Sequence, residues 1–160
     1  CYSDQPGQVC AVMTADCLPV VFCSGDGKEV AAAHAGWRGL VDGVLLTTLD
    51  AFTCPGSEIL AWLGPAIGPS SFEVGVDVYR RFLSQWCGYG EKAVTGCFVP
   101  QGHERWLCDI YALARLQLRS RGVTAIYGGT EDTCADGQRF YSFRRDGDTG
   151  RMASLVWRTA

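Results

Sequence analysis

The sequence has no run of lysine or arginine, no long apolar stretch, no low-complexity segment and no internal repeat. Each absence excludes something. With 14 Lys+Arg against 17 Asp+Glu, the net charge is −3 and the pI is near 5.3, so the basic footprint of a nucleic-acid-binding surface is missing. A spanning helix needs roughly 18 consecutive apolar residues. The longest apolar stretches, around Val9–Val12 and Val30–Ala33, are strand-sized, so no membrane segment is expected. An initiator methionine, signal-peptide regions and a transit-peptide composition are all lacking. A lipoprotein beginning at Cys1 would continue as a polar tether, yet a core-like run begins by Val9, so the chain reads as an excerpt of a longer one. Histidine is scarce: His34 and His103 are the two present.

What is present suits a globular protein. Hydrophobic residues make up 48% and charged residues 19%, and 160 residues suffice for one domain, 1–160, with a real core. Cysteine is abundant, at nine. A secreted disulfide framework would be shorter, more loop-rich and evenly paired, so reduced thiols and a cytoplasmic location are expected. Cys10, Cys23 and Cys97 fall inside apolar strand-like runs, where a thiol packs as a small hydrophobe.

Along the chain, Val9–Met13, Pro19–Cys23 and Glu29–Ala33 read as strands, the last two joined by the hairpin-type turn Ser24-Gly25-Asp26-Gly27. One helix is predicted from about Gly39 to Phe52, where Leu40, Val44, Leu45, Leu49 and Phe52 recur mostly at helical spacing. Ile59–Leu63 is a further strand, running into a rigid loop, Gly64-Pro65-Ala66-Ile67-Gly68-Pro69. Helices are predicted over Val76–Trp86 and Leu107–Arg121, the latter stopped by Gly122. Val123–Tyr127, Phe140–Arg144 and Met152–Trp157 read as closing strands. The expected class is α+β (α/β layered), with mixed sheets packed against helices.

Three features bear on chemistry. His34 ends a strand of small residues beside Gly36, Arg38 and Gly39, where sites commonly form, although a core histidine bonded to backbone has the same local sequence. Cys17 lies in the turn Thr14-Ala15-Asp16-Cys17-Leu18-Pro19. If the strands at Cys10–Met13 and Glu29–Ala33 are neighbours, Cys17 and His34 emerge at one sheet edge, where a thiolate and an imidazole suit zinc. A buried thiol and an unrelated histidine account for the same residues without a metal. Arg38, Arg144, Arg145 and Arg151 sit in turns or beside glycines; guanidinium forks match phosphate oxygens, and solvated surface charges look alike in sequence. His103 reads as an exposed loop residue with no role.

Taken together, Thr14-Ala15-Asp16-Cys17-Leu18-Pro19-Val20, His34-Ala35-Gly36-Trp37-Arg38-Gly39 and Gly64-Pro65-Ala66-Ile67-Gly68-Pro69 with Phe72-Glu73-Val74-Gly75 form a specific set. Cys108-Asp109-Ile110-Tyr111, Phe140-Tyr141-Ser142-Phe143-Arg144-Arg145-Asp146 and Thr149-Gly150-Arg151-Met152-Ala153-Ser154 extend it over the whole chain. The set resembles the multicopper polyphenol oxidase (laccase-domain) family, in its bacterial YfiH/YlmD-like group. That resemblance implies a zinc site of two histidines and one cysteine, with Cys17 and His34 as two of the ligands. The remaining histidine belongs, in the family, to a Gln-Val-His-Gly motif expected upstream of Cys1.

The implied activity is zinc-dependent phosphorolysis of adenosine, inosine, guanosine or methylthioadenosine to base and ribose 1-phosphate, with adenosine deamination beside it. Purine nucleosides and phosphate are then the partners. Cys17, His34 and Arg38 are the expected catalytic residues, and Asp16, Ser142 and Arg145 the expected substrate-binding ones. The family's older description implies a copper-dependent polyphenol oxidase, but type-1 and trinuclear copper centres need more than two histidines. The implied fold is similar to the catalytic domain of the cytotoxic necrotizing factor deamidases, which makes a metal-free hydrolase with Cys17 activated by His34 a further alternative. Editing of peptidoglycan precursors is another.

Overall fold

The computed structural model describes residues 1–159. Its main sheet grows from the two most apolar runs of the chain. Leu18–Ser24 forms β3 and Val30–Ala35 forms β4, and the turn at residues 25–29 folds them into an antiparallel pair with Val20 opposite Ala33 and Pro19 opposite His34. Ile59–Leu63 (β5) pairs antiparallel with the other edge of β3, and Ala125–Gly128 (β9) lies parallel to β5. A two-residue strand, Tyr2–Ser3 (β1), closes the far edge, giving the order β1-β4-β3-β5-β9.

Helices cover one face. Trp37–Val41 (α1), Val44–Leu49 (α2) and Ile110–Ser120 (α5) bury Leu40, Leu45, Leu113 and Leu118 against Val20, Phe22, Ala31 and Leu63. A side chain enclosed like this contributes about 1.5–3 kcal/mol relative to exposure. On the opposite face, Cys10–Thr14 (β2) and Met152–Val156 (β10) form an antiparallel ribbon whose Cys10 packs with Val30 and Ala32. A third sheet joins Glu73–Gly75 (β6), Arg105–Cys108 (β8) and Phe98–Gly102 (β7) in that order. Against it packs Val76–Gln85 (α3), where Tyr79 stacks on Trp106 at 4.5 Å and Phe82 meets Phe98. Two short helices, Glu91–Thr95 (α4) and Phe143–Asp146 (α6), complete the layered α+β architecture with mixed sheets that the sequence led us to expect.

Four expectations are corrected. The helix over Gly39–Phe52 begins at Trp37 and breaks at Asp42-Gly43, where Gly43 takes φ +88 and restarts the chain as α2. The helix over Leu107–Arg121 begins only at Ile110: Leu107 and Cys108 belong to β8, and the Asp109 side chain caps α5 by accepting from the Ala112 amide at 2.8 Å. Phe140–Arg144 is no strand, because Ser142 caps the single turn α6. Finally, β2 is not a sheet neighbour of β4; its edge partner is β10, with Ala153 opposite Met13.

Candidate active site

Cys17 and His34 come together through the β3–β4 register rather than through β2. Leu18 faces Ala35 across the pair, so the residue before β3 and the end of β4 reach one end of the sheet. His34 is the exposed residue of an otherwise buried strand. Gly36 provides the space between them: a Cβ there would lie 2.8 Å from Cys17 Sγ and 3.6 Å from His34 Nε2. Both donor atoms therefore border the same small volume. A thiolate and an imidazole are donor types that zinc takes, at about 2.3 Å to sulfur and about 2.0–2.1 Å to nitrogen, so these are the two residues here that could hold such an ion. Among the described residues, no group of three or more His, Cys, Asp and Glu side chains is placed to hold a metal ion.

The pair opens onto a cavity of about 480 Å³, a size common for small-molecule sites. Its walls are of two kinds. Met13, Ile67, Phe72, Ile110 and Phe143 are apolar, with Phe143 and Met13 each 61% exposed at the mouth. Arg38, Arg144 and Arg151 supply positive charge. Burial pushes the Cys17 thiol up, the Asp16 carboxylate adds to that, and the Arg151 guanidinium opposes it.

Asp16 stands beside Cys17 at φ +83, a left-handed conformation uncommon for a non-glycine residue. Hydrogen bonds hold it there. Its carboxylate accepts from the Thr133 hydroxyl and the Arg144 amide, both at 2.7 Å, and its carbonyl accepts from the Ile67 amide at 2.9 Å. The loop at Gly64–Pro69 is pinned independently: the buried Tyr111 hydroxyl accepts from the Ala66 amide at 2.7 Å, and burial raises that phenol to about 12.

The structure thus brings Cys17, His34, Arg38 and Asp16 to one cavity, and it leaves two expected residues outside its walls. Ser142 is fully buried, its hydroxyl accepting from the Arg145 amide at 3.1 Å. Arg145 spends its guanidinium on the carbonyls of Thr133, Cys134 and Phe140 and on the Asp146 carboxylate. It locks the segment that carries α6. Arg144 and Arg151, noted in the sequence only as arginines in turns, line the cavity instead. Trp37, Ile67 and Phe72 were visible only as members of the motifs containing them. His103 lies at φ +48 in the exposed β7–β8 turn.

The family model described as "Multi-copper polyphenol oxidoreductase laccase" matches residues 1–159. A Pseudomonas aeruginosa protein named purine nucleoside phosphorylase is 52% identical over 157 residues, covering 98% of this chain and 63% of that protein. Escherichia coli YfiH, also named purine nucleoside phosphorylase, is 52% identical over 156 residues, covering 98% and 62%. Among solved structures, Neisseria meningitidis NMB0706 superposes with a TM-score of 0.93 at 49% identity, covering 99% of this chain and 64% of that one. YlmD from Geobacillus stearothermophilus superposes with a TM-score of 0.88 at 30% identity, covering 99% and 60%. The chain therefore spans less than two thirds of the length of each of these relatives.

Proposed function

The chain belongs to the multi-copper polyphenol oxidoreductase laccase family, and from that membership we propose that it carries the larger part of a zinc-dependent purine nucleoside phosphorylase. The observation that carries this reading is the single cavity that joins a thiol–imidazole pair, three guanidinium groups and apolar walls. Relatives about half identical to this chain are named for that activity, which supports the same reading.

Cys17 and His34 would hold the metal, since both donor atoms border the space beside Gly36. When bound, zinc supplies a Lewis acid and an activated water, which the accompanying adenosine deamination requires. One sulfur and one nitrogen suit zinc, whereas this chain's two histidines are too few for type-1 and trinuclear copper centres. The apolar walls take the purine and exclude water. In phosphorolysis a phosphate oxygen forms a bond to the ribose anomeric carbon as the bond to the base breaks and its electron pair leaves with the base. Positive charge grows on the sugar, so the attacking anion must be held close and in line. Arg38, which lines the same cavity as Cys17 and His34 with its guanidinium 4.3 Å over the Trp37 ring, is placed to help.

The test supplies inosine and phosphate to the longer protein containing this chain and follows hypoxanthine and ribose 1-phosphate. Stoichiometric release is expected, and no release from protein of confirmed metal content would overturn the reading. The adjacency of Cys17 and His34 also favours a metal-free cysteine hydrolase. Activity that survives chelation and is abolished by Cys17→Ser would select that alternative.

A further inference from the structure

Cys17 is flanked on both sides by fixed backbone. After it, Leu18 opens β3 and faces Ala35 across the β3–β4 pair. Before it, Asp16 takes φ +83, and the peptide plane between Asp16 and Cys17 is pinned at its oxygen by the Ile67 amide at 2.9 Å. A left-handed residue other than glycine persists only where its surroundings over-determine it. Here the side chain supplies the constraint, because the Asp16 carboxylate accepts from the Thr133 hydroxyl and the Arg144 amide, both at 2.7 Å.

Thr133 is fully buried and stands behind the cavity rather than among the residues that line it. Each of its polar groups is engaged. Its amide donates to the Ala66 carbonyl at 3.0 Å, its carbonyl accepts from the Arg145 guanidinium at 2.9 Å, and its hydroxyl donates to Asp16. The neighbours of Thr133 are held as firmly. The Tyr111 hydroxyl donates to the Glu131 carbonyl at 3.0 Å, and the Asp132 carboxylate accepts from the Ser71 hydroxyl at 2.6 Å and the Cys134 amide at 3.0 Å. Residues 131–134 therefore form a wedge anchored to α5, to the loop after β5 and to α6, and the wedge presents one hydroxyl to Asp16.

We propose that Thr133 is a positioning residue for the Cys17 thiol, acting through Asp16. The proposal rests on the reading of Cys17 as the thiol of the active site, and it adds a residue that lies outside the cavity. With the Asp16–Cys17 peptide and the β3 register both fixed, the Cys17 side chain keeps only its χ1 rotation, and its Sγ borders the gap at Gly36 that His34 Nε2 also borders. Loss of the Thr133 hydroxyl leaves a buried carboxylate oxygen without its partner. Asp16 then gains by turning toward water, its backbone leaves the left-handed region, and the thiol moves away from His34. The hydroxyl carries this effect and the methyl group does not. Thr133→Val, which keeps the volume, should break the arrangement, and Thr133→Ser, which keeps the hydroxyl, should spare it.

Two measurements on the longer protein containing this chain test the proposal, with a thermal melt of every variant. The first follows alkylation of the metal-free protein by iodoacetamide, resolved by peptide mass, with the half-buried Cys23 at the far end of β3 as internal reference. The second titrates Co2+ and reads the thiolate-to-cobalt charge-transfer absorption. Thr133→Val should alkylate Cys17 severalfold faster relative to Cys23 and weaken cobalt binding about tenfold or more. Thr133→Ser should return both to the parent values. Asp16→Gly, which accepts the left-handed backbone but lacks the carboxylate, should reproduce the effects of Thr133→Val, and it serves the same comparison if that variant does not fold. Parent-like alkylation and cobalt affinity in Thr133→Val, however far its melting temperature falls, would make Thr133 a structural residue only and overturn the proposal. The same result in Asp16→Gly, or a Thr133→Ser variant as impaired as Thr133→Val, would also overturn it. A parent protein without the charge-transfer band, in which Thr133→Val still speeds Cys17 alkylation, would sink the metal reading and leave the positioning role standing.

Discussion

Gly36 has room for a hydrogen and nothing larger. Its φ of −60 and ψ of 158 suit any residue, so Gly36→Ala should fold normally while its methyl group meets Cys17 Sγ at 2.8 Å. We expect zinc affinity to fall about tenfold or more with the melting temperature little changed, as read by metal content after dialysis and by circular dichroism. Tyr111→Phe should do the reverse. It leaves the buried Ala66 amide without its 2.7 Å partner, costs about 1–3 kcal/mol in a urea titration, and touches no donor of the Cys17–His34 pair. At this scale the sequence was informative where residue types were rare. The histidine at a strand end stood out because the chain has two histidines, and Cys17 stood out among nine cysteines by its place in a turn. The setting of Asp16 did not stand out, because its partner Thr133 lies 117 positions away and nothing local announces the bond.

Helical spacing is blind to a break that preserves it. Leu40, Leu45 and Leu49 all face the core, yet Gly43 at φ +88 divides their helix in two. Gly43→Ala should therefore destabilise the protein by about 1–2 kcal/mol, even though alanine is the better helix former, and a denaturant midpoint measures the sign directly. Phe140–Arg144 misleads for a related reason. Its run of aromatic residues suits a strand, but the Ser142 hydroxyl caps the next turn and the Arg145 fork gathers the carbonyls behind it. Ser142→Ala should cost about 1 kcal/mol, read as a shift in the urea midpoint. A strand would show no such sensitivity to loss of a hydroxyl. Where β2, β4 and β10 pair was equally hidden, since each is a short apolar run with several acceptable partners.

Across the whole molecule, carboxylates tie distant segments and set the response to acid. Burial pushes Glu29 up, but hydrogen bonds from the Tyr2 hydroxyl and from Thr53 outweigh it and leave the carboxyl below its ordinary value. Partial burial also pushes Asp132 up, but bonds from Ser71 and from the amides around it lower it; Asp26 is lowered from 3.8 to about 2, chiefly by Ser24. A depressed carboxyl contributes its full stability above the unfolded value and loses it as pH falls through the folded one. Stability should accordingly be level above about pH 5 and decline below about pH 4. Urea midpoints from pH 6 to pH 3 check this, and Glu29→Gln should make the decline shallower. By itself, the sequence determined the layered class, the core strands and the placing of Cys17 in a turn and His34 at a strand end, because apolar periodicity and turn residues are local properties. Only the tertiary structure decided that the β3–β4 register joins Cys17 to His34 and that Arg144 rather than Arg145 faces the cavity. Those outcomes depend on strand pairing and on hydrogen bonds between residues far apart in the chain, which no local pattern encodes.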